Sequence, residues 1–510
     1  MFPTDNKRIA KNTIILYVRM MFLMIINLYT SRVILDALGV EDYGIYNVVG
    51  GFVSMFSILS AALTASGTRY INVAMGRGDM MYLRSVFGTS VSIQYILAII
   101  VFIISEIVGI WYVNNIMILP TERLFAANFC LQFSIFNFCT SLITVPYNAV
   151  IVAHENMHIF AYVSIFEGLL KLVISFLAFY NPFDRLIYYA LLLFVLQFII
   201  RIIYRQYSIK HFEECKSKYM IDKSIFKEMF YFSMWQFLGN AATILRTQGL
   251  NILLNLFFGP IVNAAKGIAN QALNAITGFV SNFMMALNPQ ITQSFAANEY
   301  SYTLKLITWG SKLSYFLLFT ISLPVILKAD FILSIWLKEV PEYSVLFVQL
   351  SLILSMIESI MKPLITVQNA TGKVKKYMIV VSAISLLNLP VSCVFLFLGS
   401  SPVIIYYVAI SLAICVNAAR LLMLKENFKE FSPWRYLQCV ILPCTIVTIL
   451  SIIPPLYINS IIESDITSFL FVALISVLTT ILLIYLIGCN REERKLINKV
   501  CVRMLNIKNT

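Results

Sequence analysis

Three basic residues, Arg19, Arg246 and Lys266, sit deep inside apolar runs with no carboxylate close by in the chain. A cation at the middle of a membrane-spanning helix costs on the order of 2.5 to 3.5 kcal/mol, so it ordinarily faces a cavity or a partner. Neutral polar residues recur beside them at helical spacing. Asn263, Lys266, Asn270, Asn274, Thr277, Ser281 and Asn288 share one broad face, and so do Ser233, Gln236, Asn240, Thr243, Thr247 and Asn251, with Arg246 on the flank. Two earlier stripes join Asn12, Arg19 and Thr30, and Asn47, Ser54, Ser57, Thr64 and Thr68. Cations among amides and hydroxyls suit an anionic, hydroxyl-rich ligand: Arg and Lys attract phosphate, while Asn, Gln, Ser and Thr pair with hydroxyls. Arg19, Arg246, Lys266, Asn240, Asn270 and Asn274 are therefore the candidate substrate-binding residues. The competing reading of any one stripe is a helix–helix interface held by Ser, Thr and Asn.

Other ionisable residues carry weaker signals. Arg32 and Lys312 are near enough to span ends to snorkel toward water, and Lys171 follows Glu167 by four residues, an ion-pair spacing on one helix. Asp36, Glu106 and Glu358 are the acids that a proton or sodium relay could use, set against a structural role for each. His154 and His158 are four apart but have no third ligand in view, so no metal site is expected. The nine cysteines lie mostly inside apolar runs without a C-x-x-C pair and give no disulfide or metal framework. No cofactor is expected, and Gly76-Arg77-Gly78-Asp79 reads as a turn after a helix.

The elements that must position these residues follow from composition. A 510-residue chain that is 60% hydrophobic and 12% charged is too apolar for an ordinary soluble domain. Its uncharged runs of about 20 residues fit helices crossing a hydrocarbon core of roughly 30 Å, unlike the alternating strands of a barrel. The first run is too long for a signal peptide and lacks a cleavage site, so it is kept as a helix. The chain is expected to be an all-α polytopic membrane protein of about fourteen spans: 12–36, 44–68, 86–112, 124–150, 158–180, 185–206, 228–257, 262–288, 306–328, 343–368, 376–398, 402–424, 436–458 and 466–489. Trp111, Trp336 and Trp434 fall near span ends, as interfacial anchors do.

Charge sets the orientation. An even number of spans places both termini on one side, and loops on that side hold 28 of the 38 basic residues. The opposite loops hold Arg123, Arg185, Lys328 and Lys338 among acids such as Glu41, Asp42, Asp184 and Asp330. The positive-inside rule then makes both termini cytoplasmic, and the net charge of +13 needs no nucleic-acid partner.

A unit resembling 12–79 returns about 220 residues later, with Phe258-Gly259 for Leu38-Gly39 and Ile291 for Ile71. Pro146–Ser175 can likewise be laid on Pro363–Ser392. The expected organisation is two parallel six-helix repeats, 1–206 and 228–430, a basic cytoplasmic linker 207–227, an accessory helix pair 431–490 and a basic tail 491–510.

Arg32-Val33-Ile34-Leu35, Gly39-Val40-Glu41-Asp42-Tyr43-Gly44-Ile45-Tyr46, Thr68-Arg69-Tyr70 and Gly76-Arg77-Gly78-Asp79 carry a family likeness. The chain resembles the O-antigen flippase (Wzx-like), polysaccharide-exporter branch of the multidrug/oligosaccharidyl-lipid/polysaccharide (MOP) superfamily, and more distantly the lipid II flippase. The resemblance implies MATE-like, V-shaped lobes around a cavity open alternately to either membrane face. It implies a bacterial inner-membrane protein that moves an undecaprenyl-diphosphate-linked oligosaccharide between leaflets, with Arg19, Arg246 and Lys266 as diphosphate-engaging cations by position. Its partners would be that substrate, membrane lipid and a polysaccharide polymerase complex, with the chain itself a monomer. Two other classes compete. A MATE-type multidrug or organic-cation antiporter wants cavity carboxylates, whereas the isolated charges here are mostly positive. A polymerase or glycosyltransferase wants a sizeable outer loop, and the longest, near Tyr112–Arg123 and Lys328–Tyr343, are about a dozen residues.

Overall fold

The computed structural model describes residues 3–115, 121–179, 184–216, 222–337, 340–461, 466–491 and 493–494. Helices account for the regular structure of the described residues. This is what hydrocarbon demands, because a helix satisfies its own backbone hydrogen bonds where no water can.

The first unit comprises residues 1–241 and 285–299. Helix α1 (Pro3–Ser54) is interrupted at Gly39, where φ is 78° and ψ 169°. Its first arm runs beside α5 (Met157–Phe179), to which it is tied by Leu16 with Met157, by the ring contact of Tyr29 with Phe176, and by Leu23 against Gly168. A Cβ on Gly168 would lie 2.6 Å from Leu23, so the close approach depends on the missing side chain. Helix α2 (Ser57–Arg77) ends in Gly78, whose left-handed φ of 70° suits glycine at that cap. Asp79 then caps α3 (Met80–Ile104) by accepting from the Tyr82 N–H, and a π turn at Ser105–Gly109 carries α3 on to Asn115. Helices α4 (Leu124–Ala153), α5 and α6 (Arg185–His211) complete this set, and Asp184 caps α6 through the Leu186 and Ile187 N–H groups.

Helix α7 (Lys223–Ala296) covers 74 residues. Its beginning and end both bond to α2 or its neighbour α4. Ser66 Oγ donates to the Met229 carbonyl, and Gln293 Nε2 donates to Asn72 Oδ1 and to the Ala153 carbonyl. A straight helix rises about 1.5 Å per residue, so 229 and 293 would stand some 100 Å apart. The run therefore doubles back, as the two expected spans 228–257 and 262–288 require.

The second unit comprises 242–284 and 300–510. It holds α8 (Tyr300–Leu327), the short α9 (Ala329–Trp336), α10 (Ser344–Ser359), α11 (Lys362–Thr371), α12 (Lys375–Leu386), α13 (Asn388–Phe397), α14 (Ile404–Asn427) and a terminal pair, α15 (Leu442–Ile461) and α16 (Ile466–Leu483). The terminal pair docks on α8. Tyr315 and Thr448 hydroxyls lie 2.5 Å apart, and just ahead of the pair Tyr436 Oη donates to the Ile360 carbonyl between α10 and α11.

Among the described residues nine helices are long and apolar enough to cross a membrane, and α10 with α11, bent by 43°, makes a tenth. The count of fourteen expected spans is thus not reproduced as fourteen separate helices. The other four expected spans lie in α1, α2 and α7, where hairpin turns are absorbed into longer runs, and the span expected at 44–68 is cut at Met55-Phe56.

Candidate functional site

Lys266 is the residue with the sharpest environment. It is only 6% exposed, Ala265 and Ala269 beside it on α7 are fully buried, and its Nζ has no hydrogen-bond partner among the described residues. Arg246, half-buried on the same run, is close enough for its charge to act on that ammonium. Asn270 (half-buried) and Asn274 (exposed) follow Lys266 at four-residue steps on one face. Two cations that act on each other repel, and an anion would relieve both the repulsion and the unmet Lys266 donor. These four residues lie in the second unit.

Arg19 and Asn240 belong to the first unit. Arg19 is half-buried, its guanidinium 4.6 Å from the Phe160 ring centroid and its Nη1 3.4 Å from Ser164 Oγ. Asn240 is half-buried.

The three acids differ in setting. Asp36 is exposed, one turn before Gly39. Glu106 sits in the π turn, where Gln132 Nε2 donates to its Oε2 at 2.9 Å and its Oε1 is unpartnered. Such turns are frequent at functional sites. Glu358 ends α10 just before the 43° bend, within electrostatic reach of Lys362 four residues on.

The spacing of Lys171 and Glu167 produces the expected pair, 2.6 Å apart. Lys312 is a correction. It does not snorkel: it is 5% exposed and donates to the Gly488 carbonyl (3.0 Å) and Glu493 Oε2 (2.5 Å). Its carboxylate lies beyond the last span, where helix spacing could not reveal it. The side chain of Arg32, like those of Asn47, Ser54 and Asn263 in the stripes and the tail from 495 onward, lies outside the described residues.

Two groupings escaped the sequence. His154 Nε2 and Glu214 Oε1 are 2.6 Å apart, with the imidazole stacked 4.2 Å from Phe212. Burial pushes the Glu214 carboxyl upward, but the bonds from His154 and the backbone override it and hold the group below the usual carboxylate range. Second, a cavity of about 300 Å³ opens among α1, α2, α4 and α6, lined by Tyr46, Ser57, Asn137, Ser141 and Gln197 among others. Uncharged residues spread over four spans leave no local pattern to read.

Residues 9–295 match the family described as "Polysaccharide biosynthesis protein". The chain belongs to that family. No curated protein matches it. Among solved structures the fold is that of MATE transporters of the MOP superfamily, as the resemblance implied. A mutant of the Vibrio cholerae MATE transporter VcmN superposes with a TM-score of 0.70 at 16% identity, covering 84% of this chain and 98% of that one. A MOP superfamily transporter from Pyrococcus furiosus, described as having a binding pocket of reverse polarity that suggests a different function, gives 0.67 at 12%, covering 82% and 96%. An outward-facing multidrug resistance MATE family transporter gives 0.67 at 12%, covering 85% and 96%. This polysaccharide biosynthesis family member is accordingly a multi-pass membrane protein with a MOP-type transporter fold.

Proposed function

We propose that this protein is a flippase that carries an undecaprenyl-diphosphate-linked oligosaccharide across the bacterial cytoplasmic membrane for surface polysaccharide synthesis, O-antigen or capsule. The observation that carries the reading is Lys266, buried and without a hydrogen-bond partner beside Arg246 on an amide-bearing helix face. A diphosphate supplies the two or more anionic oxygens that such a pair lacks, and Asn270 and Asn274 add donors and acceptors for hydroxyls. Arg19 and Asn240 are assigned the same role within the first unit. Family membership supports the glycan class. No bond is made or broken, so the protein acts by alternating access and not as an enzyme. Both termini are assigned to the cytoplasm, and Asp36, Glu106 and Glu358 are the acids assigned to ion coupling.

The test is export. In a host lacking its own copy, Lys266→Ala and Arg246→Ala are expected to abolish surface glycan and to leave lipid-linked oligosaccharide in the inner leaflet at wild-type protein abundance. Full export by both variants overturns the assignment. A MATE-type organic-cation antiporter is the second reading, favoured by the unpartnered Oε1 of Glu106. It predicts dye efflux that Glu106→Gln abolishes and Lys266→Ala spares.

A further inference from the structure

The cavity in the first unit has a composition unlike that around Lys266. Asn137 lies near the middle of α4 and Gln197 near the middle of α6, helices that pack along each other, and both amides border the cavity. Neither side chain makes a hydrogen bond to another described residue. An amide left unmatched at mid-membrane depth costs several kcal/mol. Water or a ligand must complete these groups. Ser57 and Ser141 add hydroxyls, and Phe133 and Phe138 add apolar ring surface. Among the described residues no Asp, Glu, Lys or Arg lines the space. A phosphate would find no countercharge there, and neither would an organic cation. The volume, about 300 Å³, is at the lower end of small-ligand pockets and holds a ring or two of a glycan.

We propose that the cavity bordered by Asn137, Gln197, Ser57 and Ser141 binds an uncharged sugar ring of the transported glycan, a reading that rests on the flippase function for the identity of its ligand. The amides bond ring hydroxyls or an acetamido group, since each offers both donors and an acceptor. The phenylalanine rings cover the apolar face of the sugar. The site would thereby recognise the glycan apart from its diphosphate, and residues at 137 and 197 would set which sugar is accepted.

The experiment is saturation-transfer NMR on the full-length protein in lipid nanodiscs, with glucose, galactose and N-acetylglucosamine as probes. At least one probe is expected to receive saturation from the wild type, and Asn137→Leu or Gln197→Leu to reduce that signal about tenfold. If a leucine variant loses the wild-type thermal transition, Asn137→Thr and Gln197→Thr, which keep a polar group, are expected to fold and to shift the preference among the three sugars. The proposal is overturned if no probe binds the wild type, or if binding survives in folded 137 and 197 variants. It is also overturned if sodium-23 broadening, abolished by those variants, shows the cavity to be a cation site. Sugar binding intact at this cavity, together with full glycan export by Lys266→Ala, would instead sink the diphosphate assignment and leave the cavity standing.

Discussion

Arg123 bonds Asp42 through two guanidinium nitrogens, with Nε donating to Oδ1 at 2.8 Å. The remaining Nη1 donates to Asp184 Oδ2 at 2.7 Å. Asp42 lies just past Gly39 in the stretch that carries the family likeness, Arg123 begins the α4 span and Asp184 caps α6. One planar fork thus fastens three helix ends. Its rigid geometry serves two carboxylates at once, which a lysine could not match. Arg123→Ala is expected to lower stability by about 2 kcal/mol, a value reduced for partial exposure. Arg123→Lys should recover only part of that loss, as measured by thermal unfolding of the purified protein.

Lys266 predicts the opposite sign. Removing a buried charge that has no hydrogen-bond partner should stabilise the fold, so Lys266→Met is expected to raise the unfolding temperature, by roughly 1 kcal/mol or more in stability, while export falls. A fall in both stability and export would show that Lys266 is a structural residue and not a binding one.

Lys312 and Glu493 form a pair in which both side chains are largely buried, 6% and 11% exposed. Taking one partner away strands the other. Glu493→Gln or truncation at Gly488 is therefore expected to cost about 3 kcal/mol, and Lys312→Met combined with Glu493→Leu to restore most of it. A double-mutant cycle in thermal unfolding measures the coupling.

The contact of His154 with Glu214 is expected to weaken in acid. A carboxyl held below its usual range contributes stability above the unfolded-state carboxylate range and loses it as pH falls through the folded value. The turn Glu213–Lys216 should therefore gain hydrogen exchange below the ordinary glutamate range. Glu214→Gln should show that exchange already at neutral pH and flatten the acid response.

What the sequence disclosed and what it hid follow one physical rule. Interactions within a helix, such as Glu167 with Lys171, and properties set by a span's composition are written in local spacing. The nine apolar spans among the described residues, ten with the bent pair, and the helical fold were therefore legible. Lys312 was read as snorkelling because its acid is 181 residues away, and Asn137 and Gln197 gave no signal because a neutral amide in an apolar run carries no charge. The long runs α1 and α7 were read as separate spans because their apolar stretches are too long for one crossing, and in α1 Gly39 does interrupt the helix. Arg123 was counted as a loop charge, and only its geometry shows that it ties Asp42 to Asp184.

The division of α7 bears on how the protein is made. Its residues 223–241 and 285–296 belong to one unit and 242–284 to the other. The Gln290 bond to Glu155 and the Gln293 bond to Asn72 cannot form until the nascent chain has emerged past residue 293. The amino-terminal unit therefore stays incomplete in the membrane during translation until the opening hairpin of its neighbour has been threaded in. Splitting the gene at any single point between 242 and 284 would leave the first fragment without a helix end that only the second can donate.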